Sequence, residues 1–284
     1  MNLALGTIHT MRIGEKVNNG YSLTKGTFQI TLPIEHSDEK LVEGENVDVF
    51  LFKDRQEKVV ASTLIPKIVI GIYDWAKVVD VIPGLGVFVD IGTTVEVLVP
   101  KDDLPTFQKA WPLPGDKLYV TLALDKQERL LCRVAKEALF TDMIRFATDI
   151  DLNDQVGGQI IRVDKEGAVL FTEENHRGFI HYTEREREPR LGEFVSGRVI
   201  EVKEDGTINV SLLPLKHERM DDDAEKIYAY IQEAGGVIPF SDKSEPEHIQ
   251  HTFQMSKSAF KRALGRLMKH GKIEQRDGKT YIKK

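Results

Sequence analysis

The 284-residue sequence is poor in cysteine, in long apolar runs and in net positive charge. Cys132 is its single cysteine, so no disulfide closes within the chain and a reducing, cytoplasmic location is expected. No apolar stretch approaches the roughly 20 residues of a membrane-spanning helix. The N-terminus has no basic start followed by an apolar core, so neither a secretory leader nor a membrane partner is expected. His248, His251 and His270 lack cysteine or glutamate partners at zinc-ligand spacing, and Asp221, Asp222 and Asp223 suit a helix start without any metal. Gly84-Leu85-Gly86 resembles the opening of a nucleotide-binding loop, but no third glycine and no helix follow. Nothing pairs a nucleophile with a base. These absences predict no cofactor, no metal site and no enzyme.

Charge is unevenly placed. The total is -6, unfavourable for a partner held by phosphate neutralisation. Yet the last 34 residues, from His251, hold ten Lys or Arg against only Glu274 and Asp277. The cationic part of the chain is its end.

What the chain does have is short alternation. Through 71–135, Val79, Val81, Val87, Val89, Ile91, Val97, Val99, Leu118, Val120, Leu122 and Leu130 are spaced for strands. Pro83-Gly84, Gly92, Pro100, Pro114-Gly115 and Asp125-Lys126 punctuate them as turns. About five strands in some 65 residues is the size of a small closed barrel of the oligonucleotide-binding kind. Phe88 alternates with Val87 and Val89, so its ring points outward, where an aromatic needs a contact. Trp75, Lys77 and Trp111 stand near the strand ends as further candidates for stacking or phosphate contact.

The order Gly84 to Val89, then Val97-Leu98-Val99-Pro100, then Pro114-Gly115-Asp116 and a charged hairpin resembles the ribosomal protein S1 type of RNA-binding barrel. That resemblance implies single-stranded RNA bound on the face of strands two and three. Phe88 fills one aromatic position there, with Asp125 and Arg129 at the polar positions of the last hairpin. Leu85 stands where the first aromatic belongs, and Pro100 replaces the usual histidine after strand three.

The pattern recurs. Gly44 to Val60 parallels Gly115 to Leu131, and Tyr21-Ser22-Leu23 and Ile30-Thr31-Leu32-Pro33 parallel the second and third strands, with a joint at Ile65-Pro66-Lys67. A third copy runs from Gly158 to about Leu213. There Asp205-Gly206 predicts a two-residue hairpin, His181 takes the S1 histidine position, and Phe171, Phe179 and Tyr182 supply nearby rings. Glu184 to Glu188 alternates in sign and reads as a solvated loop. Between copies two and three, Leu139, Met143, Phe146 and Ala147 fall at helical spacing and predict a helical connector.

The remainder turns helical. Ile227, Tyr230, Ile231 and Ala234 give one apolar face. Ser244-Glu245-Pro246-Glu247 predicts a capping box, and Ser256 caps a third helix with Phe260, Ala263, Leu264, Leu267 and Met268 on its buried side. Gly271 ends that helix, and a hairpin turning at Asp277-Gly278 follows. Three helices and a terminal hairpin describe a winged helix, whose third helix faces a groove. The side opposite Phe260 carries Ser258, Arg262, Gly265 and Lys269, bordered by Lys261 and Arg266, with Lys272, Arg276 and Lys279 on or near the wing.

The expected fold is multidomain. Residues 1–66, 67–140 and 153–218 form S1-like all-β barrels, 141–152 a helical linker, and 219–284 an α+β winged helix. This order resembles the conserved virulence factor B family of bacterial S1-domain proteins. It implies a post-transcriptional regulator binding single-stranded RNA, with duplex nucleic acid and the ribosome or RNA-processing machinery as further partners. A DNA-binding regulator led by the winged helix, and a scaffold touching only protein, are the alternatives.

Overall fold

The computed structural model describes residues 3–37, 41–54, 56–214 and 216–283, with 216–222 as backbone alone. The chain divides into two compact units, Met1–Leu213 and Pro214–Lys284.

The first unit holds three five-stranded bodies. Strands β1 (Thr7–Val17), β2 (Gly20–Lys25), β3 (Phe28–Pro33), β4 (Asn46–Lys53) and β5 (Val59–Ser62) form a sheet in the order β3-β2-β1-β4-β5. Its edge strands β3 and β5 lie side by side without a ladder. The His36 carbonyl closes the gap instead, accepting from the Thr63 N–H at 2.9 Å and the Ser62 hydroxyl at 3.2 Å. The second body is a closed barrel of β6 (Asp74–Ile82), β7 (Gly86–Asp90), β8 (Glu96–Pro100), β9 (Lys117–Leu124) and β10 (Leu130–Val134). The third is a closed barrel of β11 (Gln155–Val163), β12 (Gly167–Thr172), β13 (Arg177–His181), β14 (Phe194–Val202) and β15 (Ile208–Ser211).

The repeat holds at single-residue register. Gly20 faces Pro33, Gly86 faces Pro100 and Gly167 faces His181. A Cβ at these glycines would stand 1.9, 2.1 and 2.4 Å from the carbonyl oxygens of Leu32, Val99 and Ile180. Only a residue without a side chain lets the two backbones approach so closely. The last hairpins also match. Asp54 Oδ1 accepts the N–H groups of Gln56 and Lys58 at 2.8 and 3.0 Å, and Asp125 Oδ1 those of Gln127 and Arg129 at 2.8 and 2.9 Å. In the third copy the hairpin is not the expected two-residue turn. The Lys203 N–H donates to the Thr207 carbonyl at 2.9 Å and the Gly206 N–H to the Lys203 carbonyl at 3.0 Å, leaving Glu204, Asp205 and Gly206 as the loop, with Gly206 at φ +74°. Three loop residues with a left-handed third one satisfy that spacing.

Strand β4 explains how the first two bodies join. Val49, Phe50, Leu51 and Phe52 are all fully buried, a two-faced pattern foreign to a strand with one side in water. Val49 and Leu51 fill the first body, whereas Phe50 and Phe52 belong to the cluster around Val78, Val89 and Val120 of the second.

The connector between barrels two and three departs from expectation. It holds only a 3₁₀ helix, Glu137–Met143, and continues irregularly. Phe140 and Ala147 are buried, while Leu139 and Phe146 are exposed. At three residues per turn the helical stripe read from Leu139, Met143 and Phe146 dissolves, and docking onto the third barrel decides which side chains turn inward. The loop from Glu184 is not simply solvated either: the Arg185 side chain is only 5 % exposed and pairs with Glu188 at 2.7 Å.

The second unit comprises α1 (Lys216–Glu233), β16 (Val237–Ile238), α2 (Pro246–Phe253), α3 (Lys257–Lys269), β17 (Ile273–Arg276) and β18 (Lys279–Ile282), with the sheet ordered β16-β18-β17. Ile227, Ile231, Ile249, Phe260 and Leu264 fill its core. Because α1 begins at Lys216, Asp221 to Asp223 lie inside the helix and not at its start. Glu245 is the N-cap of α2 without a side-chain bond, and Ser244 Oγ instead accepts the Ser241 N–H at 2.9 Å. Pro246 at the first helical position supplies the start. Ser256 does cap α3, accepting the Ala259 N–H at 3.2 Å. Met268 lies outside the core, 40 % exposed. Gly271 ends α3 at φ +69°, with Gly271 and Lys272 N–H groups on the Met268 and Leu267 carbonyls, both at 3.0 Å, the double bond of a glycine C-cap.

Candidate nucleic-acid interface

On the second barrel Phe88 is outward and half-buried. It stands between Asp80 on β6 and Leu98 on β8, and no other ring stacks on it among the described residues. One row away, Lys117, Lys77, Asp90 and Glu96 follow one another across β9, β6, β7 and β8, all exposed. The face is therefore mixed: Lys117 and Lys77 stand together on β9 and β6, while Asp80 on β6 lies directly opposite Phe88 and Asp90 directly opposite Lys77. A base on Phe88 has Asp80 across the strand pair, so phosphate contacts from this face fall to the Lys77–Lys117 end.

Asp125 and Arg129 pair with each other at 2.8 Å in the exposed hairpin. Slight burial pushes the Asp125 carboxyl up, but the Arg129 and Gln127 donors outweigh it and hold it below the ordinary range. Asp125 thus closes the turn, the work Asp54 does in the first copy. Trp111 is core, 8 % exposed, its Nε1 donating to the Pro105 carbonyl at 2.7 Å.

Trp75 and Phe171 do not present free rings. Trp75 packs on Tyr119 at 5.1 Å and on Phe140 at 6.1 Å, and Phe171, 7 % exposed, meets Phe140 at 5.0 Å. The connector covers the outer face of β12. Glu137 adds to the cover, accepting from Arg177 Nε at 2.7 Å and from Arg162 on β11. Phe171 turns outward from its barrel, but outward here means toward another part of the same unit.

The edge of that face stays open. His181 is exposed, Nδ1 bonded to the Thr183 hydroxyl at 2.7 Å, its ring 4.3 Å from Tyr182 and 6.4 Å from half-buried Phe179. Sequence reasoning passed over Phe194, which is 49 % exposed. Its alternation with buried Val195 at the start of β14 was the available signal.

In the winged helix, α3 shows Ser258, Lys261, Arg262, Gly265 and Lys269 to solvent, with Arg266 half-buried. Lys261 lies 3.7 Å from Asp242, and Arg276 pairs with Glu274 at 2.9 Å while lying over the Tyr281 ring. Lys272 sits 5.2 Å over Tyr228. Among the described residues Arg262, Lys269 and exposed Lys279 have no carboxylate within 4.0 Å. Nothing lies within 4 Å of a Cβ built at Gly265, so the middle of this basic face is open to close approach.

Comparison with known proteins follows this division. Family profiles match residues 5–64 as an S1 domain, 73–133 as the CvfB first S1-like domain, 140–214 as the second domain of virulence regulatory factor CvfB, and 225–282 as a CvfB-like winged helix domain. Conserved virulence factor B of Staphylococcus aureus strain MRSA252 is 40% identical over 250 residues, covering 88% of this chain and 83% of that protein. The chain belongs to the conserved virulence factor B family. Another relative of this CvfB-family chain, YitL of Bacillus subtilis, is 42% identical over 275 residues, 97% of this chain and 92% of its own. A solved Streptococcus pneumoniae structure, described as a multidomain protein with nucleic acid binding domains, is 34% identical, covers 98% of both chains and has a TM-score of 0.67. The family thus brings together S1 and winged-helix domains, both of nucleic-acid-binding type. Among the described residues no helix is long and apolar enough to cross a membrane, and no three His, Cys, Asp or Glu converge as a metal site.

Proposed function

We propose that this chain binds single-stranded RNA and regulates gene expression after transcription, as a cytoplasmic binding protein without turnover of its own. The observation that carries the reading is Phe88, an outward ring on a barrel face one row from Lys77, which among the described residues has no carboxylate within 4.0 Å. Stacking on one ring contributes about 1–3 kcal/mol per base and tolerates any base. The basic face of α3 adds phosphate contacts, and joining two weak sites in one chain raises avidity through effective concentration.

Anisotropy of a labelled single-stranded RNA across a salt series, with the full chain, tests this. Phe88→Ala is expected to weaken binding about tenfold with an unchanged salt slope. Lys261→Ala, Arg262→Ala and Lys269→Ala combined are expected to lower the slope by about 2. Absence of salt-dependent RNA binding by the wild type overturns the reading. The exposed α3 face specifically favours a second reading, duplex DNA in a groove; a duplex competitor that displaces RNA while Phe88→Ala changes nothing would select it.

A further inference from the structure

The outward row of the third barrel does not end under the connector. Phe171 faces Gln159 on β11, and Gln159 faces Phe194 on β14. At the Phe194 end the row opens into a cleft of about 330 Å³ between the second and third barrels, within the size range of small-ligand sites. A Cβ at Gly157 would lie 2.8 Å from Phe194 Cζ. Glycine there lets the ring rest on the strand backbone with nearly half its surface open.

Lys117 lines the same cleft and stands directly opposite Lys77. Among the described residues neither has a carboxylate within 4.0 Å. Like charges facing one another across an antiparallel pair repel, and an anion lying between them removes that cost. The other cation of the cleft is already engaged: Arg190 holds Asp116 through two bonds of 2.8 and 3.0 Å and lies 3.5 Å from Glu193. The Lys117 N–H donates to the Gly192 carbonyl at 3.0 Å, so the walls are tied together.

We propose that this cleft is a nucleobase subsite. One unpaired base stacks on Phe194, the Gln159 amide reads its edge, and the adjoining phosphate lies on the Lys117–Lys77 pair. The inference rests on the RNA-binding reading and adds to it a second stacking ring outside the faces of β7, β8, β12 and β13.

Two probes separate base from phosphate: a labelled single-stranded oligouridine and an abasic oligomer with the same number of phosphates. With the full chain, Phe194→Ala is expected to weaken oligouridine binding about tenfold, to leave abasic binding and the salt slope unchanged, and to be rescued by Phe194→Trp. Lys117→Gln is expected to lower the slope on both probes by about 0.7. Wild-type affinity of Phe194→Ala for oligouridine, or equal losses on both probes, overturns the subsite while leaving the RNA reading intact. Failure of the wild type to bind either probe overturns both.

Discussion

Phe88 and Phe171 illustrate what strand alternation delivers at a single residue. Both turn away from a barrel interior, as alternation reads for Phe88, yet one ring is half-open and the other 7 % exposed under the connector. Alternation fixes the side of a sheet a residue takes; which side meets water depends on contacts between distant segments that carry no local signal. Cys132 was legible in full, since a thiol inside an alternating apolar run is buried. Burial pushes its pKa up to about 12, and the thiolate is the reactive form. Iodoacetamide at pH 8 is therefore expected to leave Cys132 unmodified in the native chain. Alkylation followed by mass spectrometry along a urea series should rise only with the cooperative unfolding of the second barrel.

Among the elements, the barrels and the winged helix were readable because each repeats or completes a pattern of turns and periods. The connector was not. Seven residues of 3₁₀ helix, Glu137–Met143, imitate α-helical spacing over a stretch too short to tell 3.0 from 3.6 residues per turn. Its side chains are set by what they dock on, with Phe140 against Tyr119 at 5.1 Å and Phe171 at 5.0 Å, and Glu137 against two arginines. Phe140 is 1 % exposed, so Phe140→Ala is expected to cost about 3–5 kcal/mol. Denaturant unfolding followed by the second barrel's tryptophans and by hydrogen exchange in β12 should show one shared transition in the wild type. In the variant the two are expected to separate, the third barrel opening first.

Across the first unit, the loop read as solvent-facing proves to be a fastening. Arg187 pairs with Glu193, and Arg190 joins Glu193 to Asp116 of the neighbouring barrel. Burial pushes the Glu193 carboxyl up, but the Arg187 guanidinium, the Arg190 N–H and both positive charges overcome it and hold it below the ordinary range. A carboxyl depressed in the folded state gives stability that is complete above its unfolded pKa, near 4.5, and is lost as pH falls through the folded value. Melting temperature is therefore expected to fall below about pH 4.5, and Glu193→Gln should flatten that part of the curve while lowering stability at neutral pH. Asp125 titrates in the same direction, so the difference between the two proteins isolates the Glu193 carboxylate and its pairing with Arg187 and Arg190.

Phe50 and Phe52 decide where such a molecule can be divided. They are covalently part of the first body but serve as filling for the second. A fragment beginning at residue 67 would leave an oily wall bare, and the complementary piece would carry two phenylalanines with nowhere to go. The three copies are in this way not interchangeable beads: the first has surrendered part of its own surface to the second.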